Sequence, residues 1–126
     1  MTAAGLKYLM AIDALGASGI KITEIAESMS VSKVSVYRAI SRLETGGYTV
    51  RDEKNRVVIT EYGRSQLEKY TVLLSCLEYH FKANAKLSEG NAREDAINAI
   101  CAVSDECREA IYKAFMQKIV DSGASE

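Results

Sequence analysis

The chain contains no proline, a single histidine, and three cysteines that form no CxxC pair. Each shortage removes a class of protein. With no proline to fix kinks, and with eight glycines mostly at plausible element boundaries, the punctuation is that of a mainly helical chain. The odd cysteine set, Cys76, Cys101 and Cys107, argues against a disulfide framework and for small core residues in a reducing compartment. No window approaches the roughly 20 apolar residues of a membrane helix. No basic stretch leads into an apolar run with a cleavage-like end. The expectation is a soluble, cytoplasmic protein without a membrane partner. A phosphate-cradling glycine loop is missing, as is any nucleophile and base at a recognisable spacing, so an enzyme is not expected.

What is present is a chain of 126 residues, 48% of them apolar, enough for one domain or two small lobes. Its formal charge of −1 hides a gradient. Residues 33–64 carry seven basic and four acidic side chains, a balance of +3, whereas residues 65–126 carry seven and ten, a balance of −3. Such asymmetry suggests that the middle of the chain faces a polyanion.

Periodicity supplies the elements. Residues 4–17 bring Leu6, Leu9, Met10 and Leu15 together on a first helix, with Gly16 and Gly19 after it. Thr23 reads as the cap of a short second helix, and Ser32 as the cap of a third. In that third helix Val36, Ile40 and Leu43 form the buried stripe, and Gly46-Gly47 ends it. The β-rich runs YTVRD (48–52) and RVVIT (56–60) flank Glu53-Lys54-Asn55, a hairpin signature. Three helices followed by a hairpin are the order of a winged helix-turn-helix. Thr60 caps a long fourth helix, on which Leu67, Tyr70, Leu74, Leu77 and Phe81 make a two-heptad seam. Asn91 with Glu94 suggests the start of a fifth helix, and Ser104 that of a sixth. In the sixth, Ile111, Ala114, Phe115 and Ile119 are expected to face inward before the DSGASE tail frays. The fold class is therefore mainly α with a small hairpin: a winged helix-turn-helix over residues 1–64 and a helical dimerization domain over residues 65–126.

The third helix carries the chemistry. Lys33, Tyr37 and Arg38 turn away from the apolar stripe, with Ser35, Ser41 and Arg42 beside them. Serine hydroxyls and a helix N-terminus suit phosphate, and an arginine can read guanine through paired hydrogen bonds. Arg51, Lys54 and Arg56 near the hairpin tip can follow the DNA backbone and add salt-sensitive affinity. Any one of these side chains alone reads as solvated surface, but the set points to DNA.

In order and spacing, LKYLMAI, ITEIAESMSVSKVSVYRAISRLETGGY, VVITEYGRSQLEKY and DAINAICAVSDE resemble the diphtheria toxin repressor and manganese transport regulator family. The resemblance runs to about residue 112, and its specific part is EDAINAICAVSDE, since the helix-turn-helix outline is shared by many regulators. It implies a homodimeric, metal-activated DNA-binding regulator, usually a repressor of metal-uptake genes, on a palindromic operator. It also implies the shorter, two-domain branch of that family. Carried over, the DNA-reading segment spans Ser32 to Arg42: Val34 and Arg38 face base edges, and Ser35, Tyr37 and Arg42 lie near phosphates. Family members often have proline at Val34, and valine offers a similar apolar contact to a thymine methyl.

The family's metal ligands do not carry over. Their positions fall on Lys7, Met10, Leu74, Ile97, Ile100 and Cys101. Lysine and aliphatic side chains do not ligate manganese or iron, and a nearby ammonium repels either ion. Glu78 matches an ancillary ligand position. Cys76 and His80, four apart, share a helical face but are two ligands only. No cofactor is therefore assigned, with manganese or iron implied by the resemblance alone. Three readings follow: a regulator of this lineage without the usual metal trigger, a manganese- or iron-responsive repressor with a rearranged site, or a winged-helix protein-interaction module that reads no DNA.

Overall fold

The computed structural model describes residues 1–16 and 18–124; Ala17, Ser125 and Glu126 lie outside the described residues. The elements are α1 (Ala3–Leu15), α2 (Ile22–Met29), α3 (Lys33–Thr45), β1 (Thr49–Arg51), β2 (Val57–Ile59), α4 (Glu61–Ala83), α5 (Glu89–Ala102) and α6 (Asp105–Ala124). They form two compact units, Met1–Glu68 and Lys69–Glu126, and the division falls within α4.

The first unit is a winged helix. Its core joins Ile12 of α1, Ile22, Ile25 and Ala26 of α2, Val36, Ile40 and Leu43 of α3, and Val57 of β2, with Ile20 from the connection before α2. Burying a large aliphatic side chain is worth about 1.5–3 kcal/mol, so this shared cluster, rather than helix propensity, holds three short helices together. Within α1, Ile12 takes the inward place expected of Leu15, which is exposed. The expected cap of α2 also moves. The helix begins at Ile22 with Lys21 in the cap position and no side-chain cap bond, leaving Thr23 inside it. Burial of Ile22 in the first turn outweighs the hydrogen bond that a capping threonine offers.

The hairpin pairs Thr49 with Ile59, Val50 with Val58 and Arg51 with Val57. Ile20 adds an antiparallel bridge: its N–H donates to the Val57 carbonyl at 2.9 Å, and the Val57 N–H donates back at 2.8 Å. Thr60 caps α4 as expected, its Oγ1 accepting from the Gly63 N–H at 2.9 Å. The same hydroxyl donates to the Gly47 carbonyl at 2.6 Å, tying the exit of β2 to the exit of α3. Here the first turn of α4 passes so close to Tyr48 that a Cβ on Gly63 would strike the Tyr48 carbonyl.

In the second unit Tyr70, Leu73 and Leu74 of α4 are buried, as are Ala92, Ala96, Ile97 and Ile100 of α5. Leu77 and Phe81, lower on the expected seam, are only half-buried. The cap of α5 is Ser88, whose Oγ accepts from the Asn91 N–H at 3.4 Å, so Asn91 lies one turn inside the helix rather than before it. Ser104 caps α6 through the Cys107 N–H at 3.1 Å. Arg108 closes the α5 to α6 corner: its Nη1 donates to the carbonyls of Ile100 (2.9 Å) and Val103 (2.8 Å), and the guanidinium sits 5.2 Å from the Tyr70 ring centre. The inward face expected of α6 is not found. Ile111, Ala114 and Ile119 are exposed and Phe115 is half-buried, because their counterpart surface is not supplied within the unit. The helix runs on to Ala124, through most of the stretch expected to fray, and the last two residues of DSGASE lie outside the described residues.

Gly63→Ala should destabilise the winged helix by about 1–3 kcal/mol through overpacking. Gly90→Ala, where an added Cβ meets nothing, should be neutral or stabilise by up to about 1 kcal/mol. Urea unfolding followed by circular dichroism measures both, and equal midpoints for the two variants would contradict the close approach.

Candidate nucleic-acid interface

Ser32 sets the start of the candidate reading helix. Its Oγ accepts from the Ser35 N–H at 3.1 Å and donates to Ser35 Oγ at 3.0 Å, so both serines are oriented by the cap itself. Burial of Val36, Ile40 and Leu43 then fixes the rotation of α3. At about 100° per residue, Val34 and Arg38 stand opposite that stripe, roughly 160–200° from Val36. Lys33 and Tyr37 flank them on one side, Ser35 and Arg42 on the other. All seven residues from the sequence-derived set on this helix and its cap are exposed, Val34 at 59% and Tyr37 at 49%. Large apolar groups held this far out of the core are available to a partner.

The basic side chains divide by their neighbours. Arg51 is engaged: its Nε pairs with Glu44 Oε1 at 2.9 Å, its Nη1 donates to Asn55 Oδ1 at 3.0 Å, and its guanidinium lies 5.6 Å from the Tyr37 ring centre. That contact braces Tyr37 from the hairpin side, a link across the fold that local sequence does not announce. Arg56 is engaged as well, through Nε to Asp52 Oδ2 at 3.0 Å. Its expected reach to DNA is therefore in competition with an ion pair. Lys33, Arg38, Arg42 and Lys54 are exposed and have no ion pair among the described residues.

Asp52 organises the hairpin turn. Its Oδ1 accepts from the backbone N–H of Lys54 (2.9 Å) and of Arg56 (2.8 Å), while Asn55 takes the left-handed conformation at φ 61°. The Arg56 backbone bond is the largest influence on the Asp52 carboxyl and, with desolvation next and opposing it, combines with the Arg56 guanidinium and the Lys54 backbone bond to hold the group below its ordinary range. The turn thus places Lys54 at its tip by fixing the backbone on either side.

The positions aligned with the family's metal ligands have a different character. Leu74, Ile97 and Ile100 are buried aliphatic side chains of the second unit. Cys101 is half-buried, and burial pushes its thiol above the ordinary range, away from the thiolate that binds metals. Lys7 and Met10 are half-buried on α1 of the first unit. Glu78 is drawn into pairs with Arg93 (3.2 Å) and Lys82 (3.9 Å). Exposed His80 has Nδ1 2.8 Å from Asn84 Nδ2, and Cys76 is half-buried. This donor set does not fit a manganese or iron ion, which calls for several nitrogen and oxygen ligands. Among the described residues no three His, Cys, Asp or Glu side chains gather as ligands would.

No protein-family model and no curated protein sequence matches the chain. Solved structures do. The manganese regulator SloR matches with a TM-score of 0.69 at 21% identity, over 90% of this chain and 53% of its own. The metal-dependent transcriptional regulator MtsR matches with 0.70 at 20%, over 91% and 54%. A hypothetical protein from Sulfolobus solfataricus matches with 0.69 at 21%, over 91% and 89%. The chain spans about half the length of the SloR and MtsR chains. At these identities the likeness is one of fold: a winged helix followed by a helical unit, the architecture implied by the sequence resemblance.

The lowered Asp52 carboxyl gives the hairpin an acid limit. Its contribution is complete above the unfolded-state value and is lost as pH falls through the lower folded value. The amide resonances of Lys54 and Arg56 should titrate together with a midpoint below pH 3.8, and Asp52→Asn should remove that step. A shared midpoint at or above 3.8 would contradict the assignment.

Proposed function

We propose that the protein is a homodimeric DNA-binding transcriptional regulator, a repressor by kinship of fold, whose reading face is the exposed pole of α3 and whose ancestral metal site is lost. The observation that carries this reading is the pole itself. Arg38 and Val34 stand outward beside Lys33, Tyr37 and Arg42, and the three basic groups lack acidic partners among the described residues. In a major groove, Arg38 supplies paired donors to a guanine edge and Val34 an apolar contact to a thymine methyl. Ser32, Ser35, Tyr37 and Arg42 then fall toward phosphates, and Lys54 reaches the backbone from the hairpin tip.

Dimerization is supported by α6. Ile111, Ile119 and Val120 are exposed on a helix whose own unit leaves them uncovered, Ile119 at 49% and Val120 at 59%. A second copy burying the same helix yields a two-fold axis, and a two-fold axis asks for a palindrome with half-sites about 34–36 Å apart. SloR and MtsR are described as a manganese regulator and a metal-dependent transcriptional regulator. Here the positions aligned with the ligands hold Leu74, Ile97 and Ile100, so DNA binding in this chain proceeds without a divalent ion.

Selection from a randomised duplex pool, with chelator and with added manganese or iron, tests the reading. A palindrome should be enriched equally in all conditions. Arg38→Glu should weaken retention by roughly 10-fold to 100-fold or more, equivalent to about 1.4–3 kcal/mol. Lys54→Ala should weaken binding to all sequences alike and reduce the salt slope by about one. Enrichment only with metal would sink the loss of the trigger. No enrichment in any condition would leave the winged helix as a protein-interaction module.

A further inference from the structure

The flank of α3 that carries Arg42 does not merely face solvent. Ser35, Arg38, Ala39, Arg42 and Gly46 form one side of a groove of about 580 Å³ within the first unit, and the opening turns of α1, with Thr2, Ala4, Gly5 and Tyr8, line the other. Leu43 and Tyr48 are among the other lining residues, together with Met1 and Thr45, and none of the lining is acidic. The volume suits a small organic molecule rather than a single ion.

Its walls are preformed. The Tyr48 ring lies over Gly46 so closely that a Cβ there would come within 2.6 and 2.9 Å of ring carbons. On its other neighbour, Tyr62, the ring is tilted with centroids 5.4 Å apart. Tyr48 is thus held in place between the end of α3 and the start of α4. On the α1 side, the Thr2 and Met1 side chains close over Gly5, where an added Cβ would come within 3.1 Å of Thr2 Oγ1 and 3.4 Å of Met1 Sδ, and Thr2 is fixed by accepting the Gly5 N–H at 3.0 Å. Arg38 and Arg42 are four residues apart and project along one face, so a single carboxylate can accept from both. Neither has an ion pair among the described residues. The groove therefore presents an apolar and aromatic body beside an uncompensated positive rim.

We infer that this groove is the binding site of a small amphipathic carboxylate. Its hydrocarbon or aromatic part lies against Tyr8, Leu43 and Tyr48, and its carboxylate bridges Arg38 and Arg42. Because the proposed DNA face uses the same two arginines, occupancy releases the duplex; this regulatory consequence rests on the DNA reading above, whereas the site itself does not. A ligand that binds only the DNA-free protein weakens DNA retention by the factor 1 + [L]/Kd. At ten times its Kd the loss is about tenfold.

Naphthoate and its neutral analogue naphthamide provide the test, titrated calorimetrically into the full chain at low salt without DNA. Naphthoate should bind at least about tenfold more tightly than naphthamide, since only the carboxylate engages both guanidinium groups. Excess inorganic phosphate should not displace it. Arg42→Gln should weaken naphthoate tenfold or more, and so should Ala4→Phe, which fills the groove from an exposed position on α1. Ala4→Phe should retain the duplex as well as the parent chain does, but without release by naphthoate. No naphthoate binding, equal binding of the amide, displacement by phosphate, or unaltered affinity in both variants would each overturn the site. Loss of duplex retention in the parent chain would instead overturn the DNA reading, so the two failures are distinguishable.

Discussion

The burial of Val36, Ile40 and Leu43 is the constraint on which the candidate site depends. Spaced four and three apart and shielded by α1, α2 and β2, these residues fix how α3 is turned about its axis. Once that rotation is set, every exposed position has one direction. Val34 and Arg38 point outward, Tyr37 leans toward the hairpin, and Arg42 leans toward α1. A shift of one residue in the apolar pattern would rotate the helix by about 100° and place Tyr37 where Arg38 now stands. The capping serine, the glycine exit and the hairpin anchor refine this arrangement, but the stripe decides it.

Charge count alone is a poor measure of the basic surface. The central segment has seven basic residues, yet three of them are held by carboxylates: Arg51 by Glu44, Arg56 by Asp52, and Arg64 by Asp13. Such pairs are worth little to stability at the surface, commonly about 0–1 kcal/mol. Their larger effect is to fix direction. Arg51 is drawn back over Tyr37, and Arg56 is drawn into the turn, so the basic groups of this segment with no ion pair among the described residues are Lys33, Arg38, Arg42 and Lys54. The arrangement leaves positive charge on the α3 pole and at the hairpin tip, and removes it from the sides of the hairpin.

Most of the architecture was legible because it follows from local periodicity. The apolar spacing of α3, the β-rich runs around Glu53-Lys54-Asn55 and the threonine cap of α4 depend on neighbours within a few residues. Misplaced features depend on something farther away. Lys21 rather than Thr23 precedes α2 because Ile22 is needed in a core shared with α1, α3, β2 and Ile20 of the preceding connection, and Ser88 displaces Asn91 through one hydroxyl at the helix start. The Ile20 bridge to Val57 joins residues 37 apart and has no sequence signature. On α6 the expected inward face of Ile111, Ala114, Phe115 and Ile119 is not buried, because apolar spacing along a helix does not say whether the same chain covers it. The groove beside Arg42 was likewise invisible. It is made by the approach of α1 to α3 and by the close fit of Tyr48 over Gly46, neither of which is a local property.

The aliphatic residues at the positions aligned with the family's metal ligands bear on the proposed trigger. Polar ligands buried in a helical unit are costly when no ion neutralises them, several kcal/mol for an uncompensated charge. A regulator built that way couples order to metal. Leu74, Ile97 and Ile100 reverse the sign of the term: each is fully or nearly fully buried, and each contributes about 1.5–3 kcal/mol to folding with no ion present. The packing of these three side chains in the second unit needs no ion to complete it; under the proposed loss of the metal site, metal has no differential free energy with which to shift an equilibrium. A signal that changes DNA affinity has to act where two states of the protein differ in what they bind. Under the proposed DNA reading and ligand site, that place in the first unit is the rim of Arg38 and Arg42, where a carboxylate and a duplex would compete for the same donors.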